Sequence, residues 1–210
     1  MKPHYGQKIQ STGARLEEAE AAMILIHGRG ATASSILALH EYFDYPKIAY
    51  IAPQAQSNTW YPYSFLAPIP QNEPGISSGM YVIEQIIAQI HEAGIPNDKI
   101  FLLGFSQGAC LSLEFAARHA QKFGGIFALS GGLIGPDGTS RNYPGDFQQT
   151  PVLLGCSDID PHIPLERVQE SSDVFRNMHA KVEEKIYPGM GHTINQDEID
   201  SINDILKSTI

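Results

Sequence analysis

Short apolar runs bounded by turn residues recur along the chain and predict the strands of a sheet. Runs of four to eight apolar residues are typical of strands that are buried on both faces. One further run, residues 182–187, mixes charged with apolar residues and predicts a strand near the sheet edge. The continuous apolar runs occupy residues 22–26, 48–52, 99–105, 125–129 and 151–155.

Amphipathic stretches between these runs predict helices. Isoleucines fall at 3-4 spacing in residues 76–93, and further helices are predicted over residues 107–120 and 165–179. The last helix is expected to begin near Asn195, where Glu198 stands three residues later as a capping partner. Strands separated by helices need crossover connections, which predicts a mostly parallel sheet covered on both faces.

The composition fits one soluble domain and excludes several functional classes. The 210 residues match the size of a single domain, and no linker or internal repeat divides residues 1–210. A net charge of -9 argues against nucleic-acid binding, which needs clustered Lys and Arg. The first ten residues lack the apolar core of a secretory signal, and no run approaches the ~18 apolar residues of a membrane span, so a cytoplasmic location is expected. Cys110 and Cys156 stand in apolar segments and are expected to be buried free thiols, and no Cys or His cluster has the spacing of a metal site.

The pentapeptide from Gly104 to Gly108 matches G-x-S-x-G and has Ser106 at its centre. It stands where the predicted strand 99–105 meets the predicted helix 107–120, which is the strand–turn–helix context that a nucleophile elbow requires. The glycines leave room for a tight turn, and the helix N-terminus favours developing negative charge. A serine that only capped the helix would need neither glycine. Ser106 is therefore the predicted nucleophile.

A nucleophilic serine needs a base, and the base needs an acid that orients it. In α/β-hydrolases these partners follow the serine in the order acid, then His. His192 lies in a glycine-rich loop between the last predicted strand and the last predicted helix, and is the predicted base. The acid is expected on the loop after the strand 151–155, where Asp158 and Asp160 compete. Local chemistry leaves both open, although Pro161 would stiffen the turn after Asp160 and favours it slightly.

The oxyanion hole needs two donors. One is expected to be the backbone N–H of Gln107, the residue after the nucleophile, and the other the backbone N–H of Arg29 on the loop after the first long strand. His27 on the same loop is interpreted as a brace that holds the loop by hydrogen bonding.

A long loop rich in aromatic residues and proline covers residues 54–75. Loops of this length in a compact domain often have a functional role. Trp60, Tyr61, Phe65 and Leu66 are predicted to line the acyl or alcohol pocket. The alternative is that the loop only covers the core.

These motifs together resemble the phospholipase/carboxylesterase family of small α/β-hydrolases, which includes acyl-protein thioesterases and bacterial carboxylesterases. In that family the acid stands three residues before a Val-Pro or similar pair, and Ile163-Pro164 puts Asp160 in that place. The resemblance implies an α/β-hydrolase fold without a large cap or lid domain, no cofactor and a shallow acyl-binding groove. The markers, in family order, are L-I-H-G-R-G at residues 25–30, W-Y at 60–61, G-F-S-Q-G-A at 104–109, D-P-H-I-P at 160–164 and G-H at 191–192.

Two departures from the family pattern bear on the substrate. Cys156-Ser157 replaces the usual His-Gly before the acid, and H-G-R-G-A at residues 27–31 replaces the H-G-L-G-D of many thioesterase-like members. Both argue against a palmitoylated protein as substrate.

The predicted function is a serine carboxylesterase that hydrolyses short- to medium-chain carboxylic esters of small molecules. Alternatives are an acyl thioesterase or lysophospholipase with the same triad, a dienelactone hydrolase-like enzyme, and a ligand-binding protein that has lost activity. The dienelactone hydrolase-like reading fits less well because such enzymes use a cysteine nucleophile. No segment of the sequence indicates an oligomeric state, although a homodimer is common for compact enzymes.

Overall fold

A mixed sheet runs through the protein, as seen in a computed structural model that describes residues 2–210. Seven strands of this range form the sheet in the order β1-β3-β2-β4-β5-β6-β7. Strand β1 is antiparallel to β3, and all other neighbours are parallel. The predicted mostly parallel sheet is confirmed, with β7 at one edge as its polar pattern indicates. The strands are β1 (Ile9–Gly13), β2 (Ala21–Ile26), β3 (Ile48–Pro53), β4 (Ile100–Phe105), β5 (Gly125–Leu129), β6 (Pro151–Ser157) and β7 (Lys181–Tyr187).

Helices cover both faces of the sheet. Successive strand residues point to opposite faces, and in β2 the side chains of Ile24 and Ile26 join one buried cluster while Met23 and Leu25 join the other. Helices α2, α3 and α4 pack on the first cluster, and α1 and α5 on the second. The helices are α1 (Ala33–Leu37), α2 (Gly75–Glu92), α3 (Gln107–Arg118), α4 (Leu165–Asn177) and α5 (Gln196–Thr209), and short 3₁₀ turns occupy Leu16–Glu18, Ala38–Tyr42, Gln56–Asn58, Ile69–Asn72 and Asn97–Lys99.

The longer helices begin and end within two residues of their predicted bounds. The capping pair of α5 is also confirmed. The Asn195 side chain accepts a hydrogen bond from the Glu198 amide at 3.0 Å, and Glu198 Oε2 accepts one from the Asn195 amide at 2.9 Å. Strand β1 and helix α1 were not predicted.

Both cysteines are buried free thiols, as expected, with exposed fractions of 1% for Cys110 and 0% for Cys156. Over residues 2–210, none of the helices combines the length and the apolar character that crossing a membrane requires.

The parallel strands bring three loops to one edge of the sheet. Ser106 directly follows β4, Asp160 lies on the loop after β6, and His192 lies on the loop between β7 and α5. Because parallel strands all end at the same edge, these loops meet there, at the side of an open α/β sheet where ligands usually bind.

Candidate active site

The turn between β4 and α3 holds Ser106 in a strained conformation. Its backbone has φ 56° and ψ -119°, a region that costs a non-glycine residue about 1–3 kcal/mol. A Cβ atom on Gly108 would lie 2.0 Å from the Ile26 carbonyl oxygen, and one on Gly104 would lie 2.4 Å from the Gly108 carbonyl oxygen. Both positions of the pentapeptide therefore require glycine. Ser106 stands at the N-cap of α3, but its side chain makes no capping hydrogen bond.

The hydroxyl of Ser106 faces a histidine instead, and that histidine contacts a carboxylate on its other side. His192 Nε2 lies 2.8 Å from Ser106 Oγ, and His192 Nδ1 lies 2.7 Å from Asp160 Oδ2. Asp158, the competing aspartate, accepts a hydrogen bond from the Gly189 amide at 2.8 Å. The structure thus brings Ser106, His192 and Asp160 into one hydrogen-bonded chain, with Asp158 outside it.

The Asp160 carboxylate is fully buried, with a side-chain exposure of 0%. Burial by itself raises the pKa of Asp160, but the hydrogen bond from His192 and those from two backbone amides lower it by more. These amides belong to His162 and Ile163 and lie 2.8 and 3.1 Å from Oδ1. The net effect is that the pKa of Asp160 lies below its ordinary value. The carboxylate therefore stays ionised and can accept a hydrogen bond from the N–H group at His192 Nδ1.

Two rings confine the His192 imidazole. The Phe105 ring lies 5.0 Å from it and the His162 ring 4.8 Å, in an edge-on arrangement. His162 also lines the cavity next to Ser106. Such packing limits the orientations that the base can adopt.

The loop after β2 lies against the nucleophile. A Cβ atom on Gly28 would come within 3.3 Å of the Ser106 Cβ atom. The backbone N–H groups of Arg29 and Gln107 donate to no acceptor that belongs to residues 2–210. Unpaired amides beside a nucleophile are the arrangement that an oxyanion hole requires.

His27 holds this loop in place. Its Nδ1 lies 2.8 Å from the Gly28 carbonyl oxygen, and its Nε2 accepts a hydrogen bond from the Ala55 amide at 3.1 Å. Burial lowers the pKa of His27, which favours the neutral ring that these two contacts need. The interpretation of His27 as a brace is confirmed.

A cavity of 610 Å³ opens above Ser106. Tyr61 and Phe65 of the aromatic loop line it as predicted, together with Phe105 and Cys110. These residues give the cavity a largely apolar wall, and its size is that of a small-molecule site.

Trp60 and Leu66 do not line this cavity, contrary to the prediction. Trp60 is fully buried in the hydrophobic core, where its indole N–H donates to the His27 carbonyl oxygen at 2.9 Å. Leu66 packs against the hydrophobic core. The aromatic loop therefore serves both of the roles considered from the sequence, since one part lines the cavity and another covers the core.

The sequence model of the phospholipase/carboxylesterase family matches residues 7–210. The chain belongs to the phospholipase/carboxylesterase family. Its fold is accordingly that of the α/β-hydrolases, and it is related to serine hydrolases that act as esterases and acyl-protein thioesterases.

Solved and curated relatives agree with this assignment. A crystal structure of a phospholipase/carboxylesterase from Dyadobacter fermentans is 45% identical, covers 98% of this chain and 99% of its own, and superposes with a TM-score of 0.94. Acyl-protein thioesterase 1 of Saccharomyces cerevisiae is 26% identical over 94% of this chain and 96% of its own length. Acyl-protein thioesterase 1 of Gibberella zeae is 32% identical, over 67% of this chain and 60% of that protein's length.

Cys156, where this phospholipase/carboxylesterase family member departs from the usual pattern, touches the acid. Its Sγ atom lies 3.7 Å from Asp160 Oδ2. Burial and the nearby Asp160 charge raise the pKa of the thiol to about 12. Cys156 therefore stays protonated and can donate a weak hydrogen bond to the carboxylate.

Several residues that line the cavity were not predicted from the sequence, among them Phe105, Cys110 and Ile163. Two of them could have been predicted from their distance in sequence to Ser106. Phe105 is the variable residue directly before the nucleophile, and Cys110 stands one helical turn after it, so both must lie near the hydroxyl. Ile163 carried no such signal. Within residues 2–210, no group of three or more His, Cys, Asp or Glu side chains is placed to hold a metal ion.

Proposed function

We propose that this protein is a serine carboxylesterase that hydrolyses short- to medium-chain carboxylic esters through Ser106, His192 and Asp160. The observation that carries the proposal is the chain of hydrogen bonds from Asp160 to His192 to Ser106, at 2.7 and 2.8 Å. The serine at its end occupies a strained elbow beside two unpaired amides. A strained serine, an aligned imidazole and a buried carboxylate form the arrangement that acyl transfer needs.

In the first step His192 Nε2 takes the proton of Ser106 as Oγ attacks the ester carbonyl carbon. The negative charge that develops on the carbonyl oxygen is stabilised by the Arg29 and Gln107 amides. Collapse of the tetrahedral intermediate expels the alcohol, which receives its proton from His192 and leaves an acyl group on Ser106. Asp160 keeps Nδ1 protonated and stabilises the imidazolium.

In the second step a water molecule attacks the acyl-enzyme. His192 removes a proton from the water, the same two amides stabilise the second oxyanion, and Ser106 regains its proton from His192 as the carboxylic acid leaves. The apolar wall formed by Tyr61, Phe65 and Phe105 supports an acyl chain as the bound group.

A second candidate is thioester hydrolysis, which the similarity to acyl-protein thioesterases favours. The same triad and the same two amides serve both reactions. Only the relative rates on matched substrates separate them.

The test is hydrolysis of p-nitrophenyl esters from acetate to palmitate by the wild type and by Ser106→Ala, alongside thioesters with the same acyl chains. We expect the highest kcat/KM on short to medium esters and loss of activity in the variant. A clear preference for thioesters would replace this proposal with the second candidate, and a peak at palmitate would replace it with lipid or protein deacylation. A wild-type protein that cleaves none of these substrates would favour a ligand-binding role.

A further inference from the structure

Arg29 and Gln107, whose backbone amides form the proposed oxyanion hole, both hold the same loop with their side chains. We call residues 58–63 the bridging loop. On one side Arg29 Nη1 donates to Thr59 Oγ1 at 3.0 Å and to the Pro62 carbonyl oxygen at 2.9 Å, and Arg29 Nη2 donates to the Tyr63 carbonyl oxygen at 2.6 Å. The Gly30 amide also donates to the carbonyl oxygen of Asn58, at 2.7 Å.

On the other side the buried Gln107 side chain makes a matching set of contacts. Its Oε1 accepts from the Trp60 amide at 2.9 Å, and its Nε2 donates to the Tyr61 carbonyl oxygen at 2.8 Å. Gln107 begins α3, directly after the nucleophile. The bridging loop is therefore hydrogen-bonded to both segments that contribute an amide to the proposed oxyanion hole.

The Thr59 hydroxyl is where these two sets of contacts meet. It accepts from Arg29 Nη1 at 3.0 Å, and its own proton lies within reach of Gln107 Oε1 at 3.2 Å and of the Tyr61 carbonyl oxygen at 3.1 Å. Thr59 is not among the described residues that line the cavity above Ser106. Any influence of Thr59 on the reaction thus passes through the residues that its hydroxyl contacts, which are Arg29, Gln107 and Tyr61.

We infer that Thr59 is a positioning residue that sets the spacing of the two oxyanion amides. The inference rests on the proposed esterase function and adds a residue to it. Oxyanion stabilisation depends on both donors lying about 2.7–3.1 Å from the oxygen as it becomes charged. A group that ties the side chains of both donor residues together limits how far their backbones can move apart.

Thr59→Val tests this, because it replaces the hydroxyl with a methyl group of similar shape. The Pro62 carbonyl oxygen remains available to Arg29, and the Trp60 amide remains available to Gln107, so the loop keeps its other contacts. Thr59→Ser restores the hydroxyl. Ser57→Ala is the matched control, since Ser57 is an exposed hydroxyl residue two positions earlier.

We expect Thr59→Val to lower kcat about 10-fold with KM close to that of the wild type, because only transition-state stabilisation is lost. The inhibition constant of phenylboronic acid, which forms a tetrahedral adduct with an active-site serine, should rise by a similar factor. Thr59→Ser should recover most of the lost kcat and most of the lost affinity for phenylboronic acid. Ser57→Ala should match the wild type in both quantities.

Two results would overturn the inference. One is unchanged kcat and boronate affinity in Thr59→Val. The other is a loss in Thr59→Val that follows a lowered melting temperature and is not recovered by Thr59→Ser, which would assign the effect to packing. Failure of the proposed function looks different, because the wild type would then hydrolyse no ester or Ser106→Ala would remain active.

Discussion

Glu198 is a buried carboxylate near the triad loops, and its environment makes the stability of the protein depend on pH. The residue is 0% exposed. Its Oε2 accepts the hydrogen bond from Asn195, whereas its Oε1 has no hydrogen-bond partner among residues 2–210. A Cβ atom on Gly155 would lie 2.0 Å from Oε1, so the carboxylate is pressed against the backbone of β6.

Burial raises the pKa of Glu198 from an ordinary 4.5 to about 7. The Asn195 amide opposes this rise, the Asp197 charge adds to it, and the Lys185 charge opposes it slightly. The folded state therefore holds this proton up to about pH 7, whereas the unfolded chain releases it near pH 4.5. Stability is lost as pH rises between these values, and a shift of this size corresponds to about 3 kcal/mol.

Glu198→Gln removes the titration and keeps an oxygen for the Asn195 amide. We expect the variant and the wild type to differ little in free energy of unfolding at pH 5, where Glu198 is mostly protonated. At pH 8 the variant should be more stable by about 3 kcal/mol, because the wild type then holds an ionised carboxylate in a buried site. Urea unfolding at both pH values measures the difference.

Glu166→Gln is the control, because Glu166 is an exposed glutamate in the first turn of α4. Its stability relative to the wild type should not change between pH 5 and pH 8. If Glu198→Gln and the wild type show the same dependence on pH, Glu198 is ionised in the folded protein like any exposed glutamate, and the reasoning from burial is wrong.

Two further predictions concern the site itself. Asp160→Asn should lower kcat by about 10⁴-fold, since His192 loses the partner that fixes its tautomer. Asp158→Asn is the control and should retain near wild-type kcat. Equal losses of kcat in the two variants would contradict the assignment of Asp160 as the acid. Gly108→Ala should lower the free energy of unfolding by about 3 kcal/mol, because the added methyl group meets the Ile26 carbonyl oxygen. A urea midpoint equal to that of the wild type would show that the turn around Ser106 tolerates a side chain at position 108.

The strands and helices that the sequence predicts well are those with long, uninterrupted patterns. The isoleucine stripe at 76–93 has the spacing of a helix over several turns, and the run at 99–105 has the length of a buried strand bounded by turn residues. Strand β1 was missed because I-Q-S-T-G is short and mostly polar, and only pairing with β3 in three dimensions makes it a strand. Helix α1, at five residues, is too short for a periodic pattern.

The site shows the same division between local and tertiary information. The strand–turn–helix pattern around the pentapeptide is local, and this is why Ser106 could be placed at the end of β4. Local chemistry could not choose between Asp158 and Asp160, because the choice depends on which carboxylate faces His192 across the sheet edge. The burial of Trp60 likewise depends on tertiary contacts, since its ring joins the hydrophobic core and its indole N–H donates to the His27 carbonyl oxygen.

Labelling with a fluorophosphonate, followed by mass spectrometry of the peptides, tests the central claim most directly. A nucleophilic serine in an intact site reacts with this probe, whereas an ordinary surface serine does not. We predict one adduct in the wild type, on Ser106, with no adduct in Ser106→Ala and a much slower reaction in His192→Ala. An unlabelled wild type, or an adduct on another residue that persists in Ser106→Ala, would contradict the assignment of Ser106 as the nucleophile.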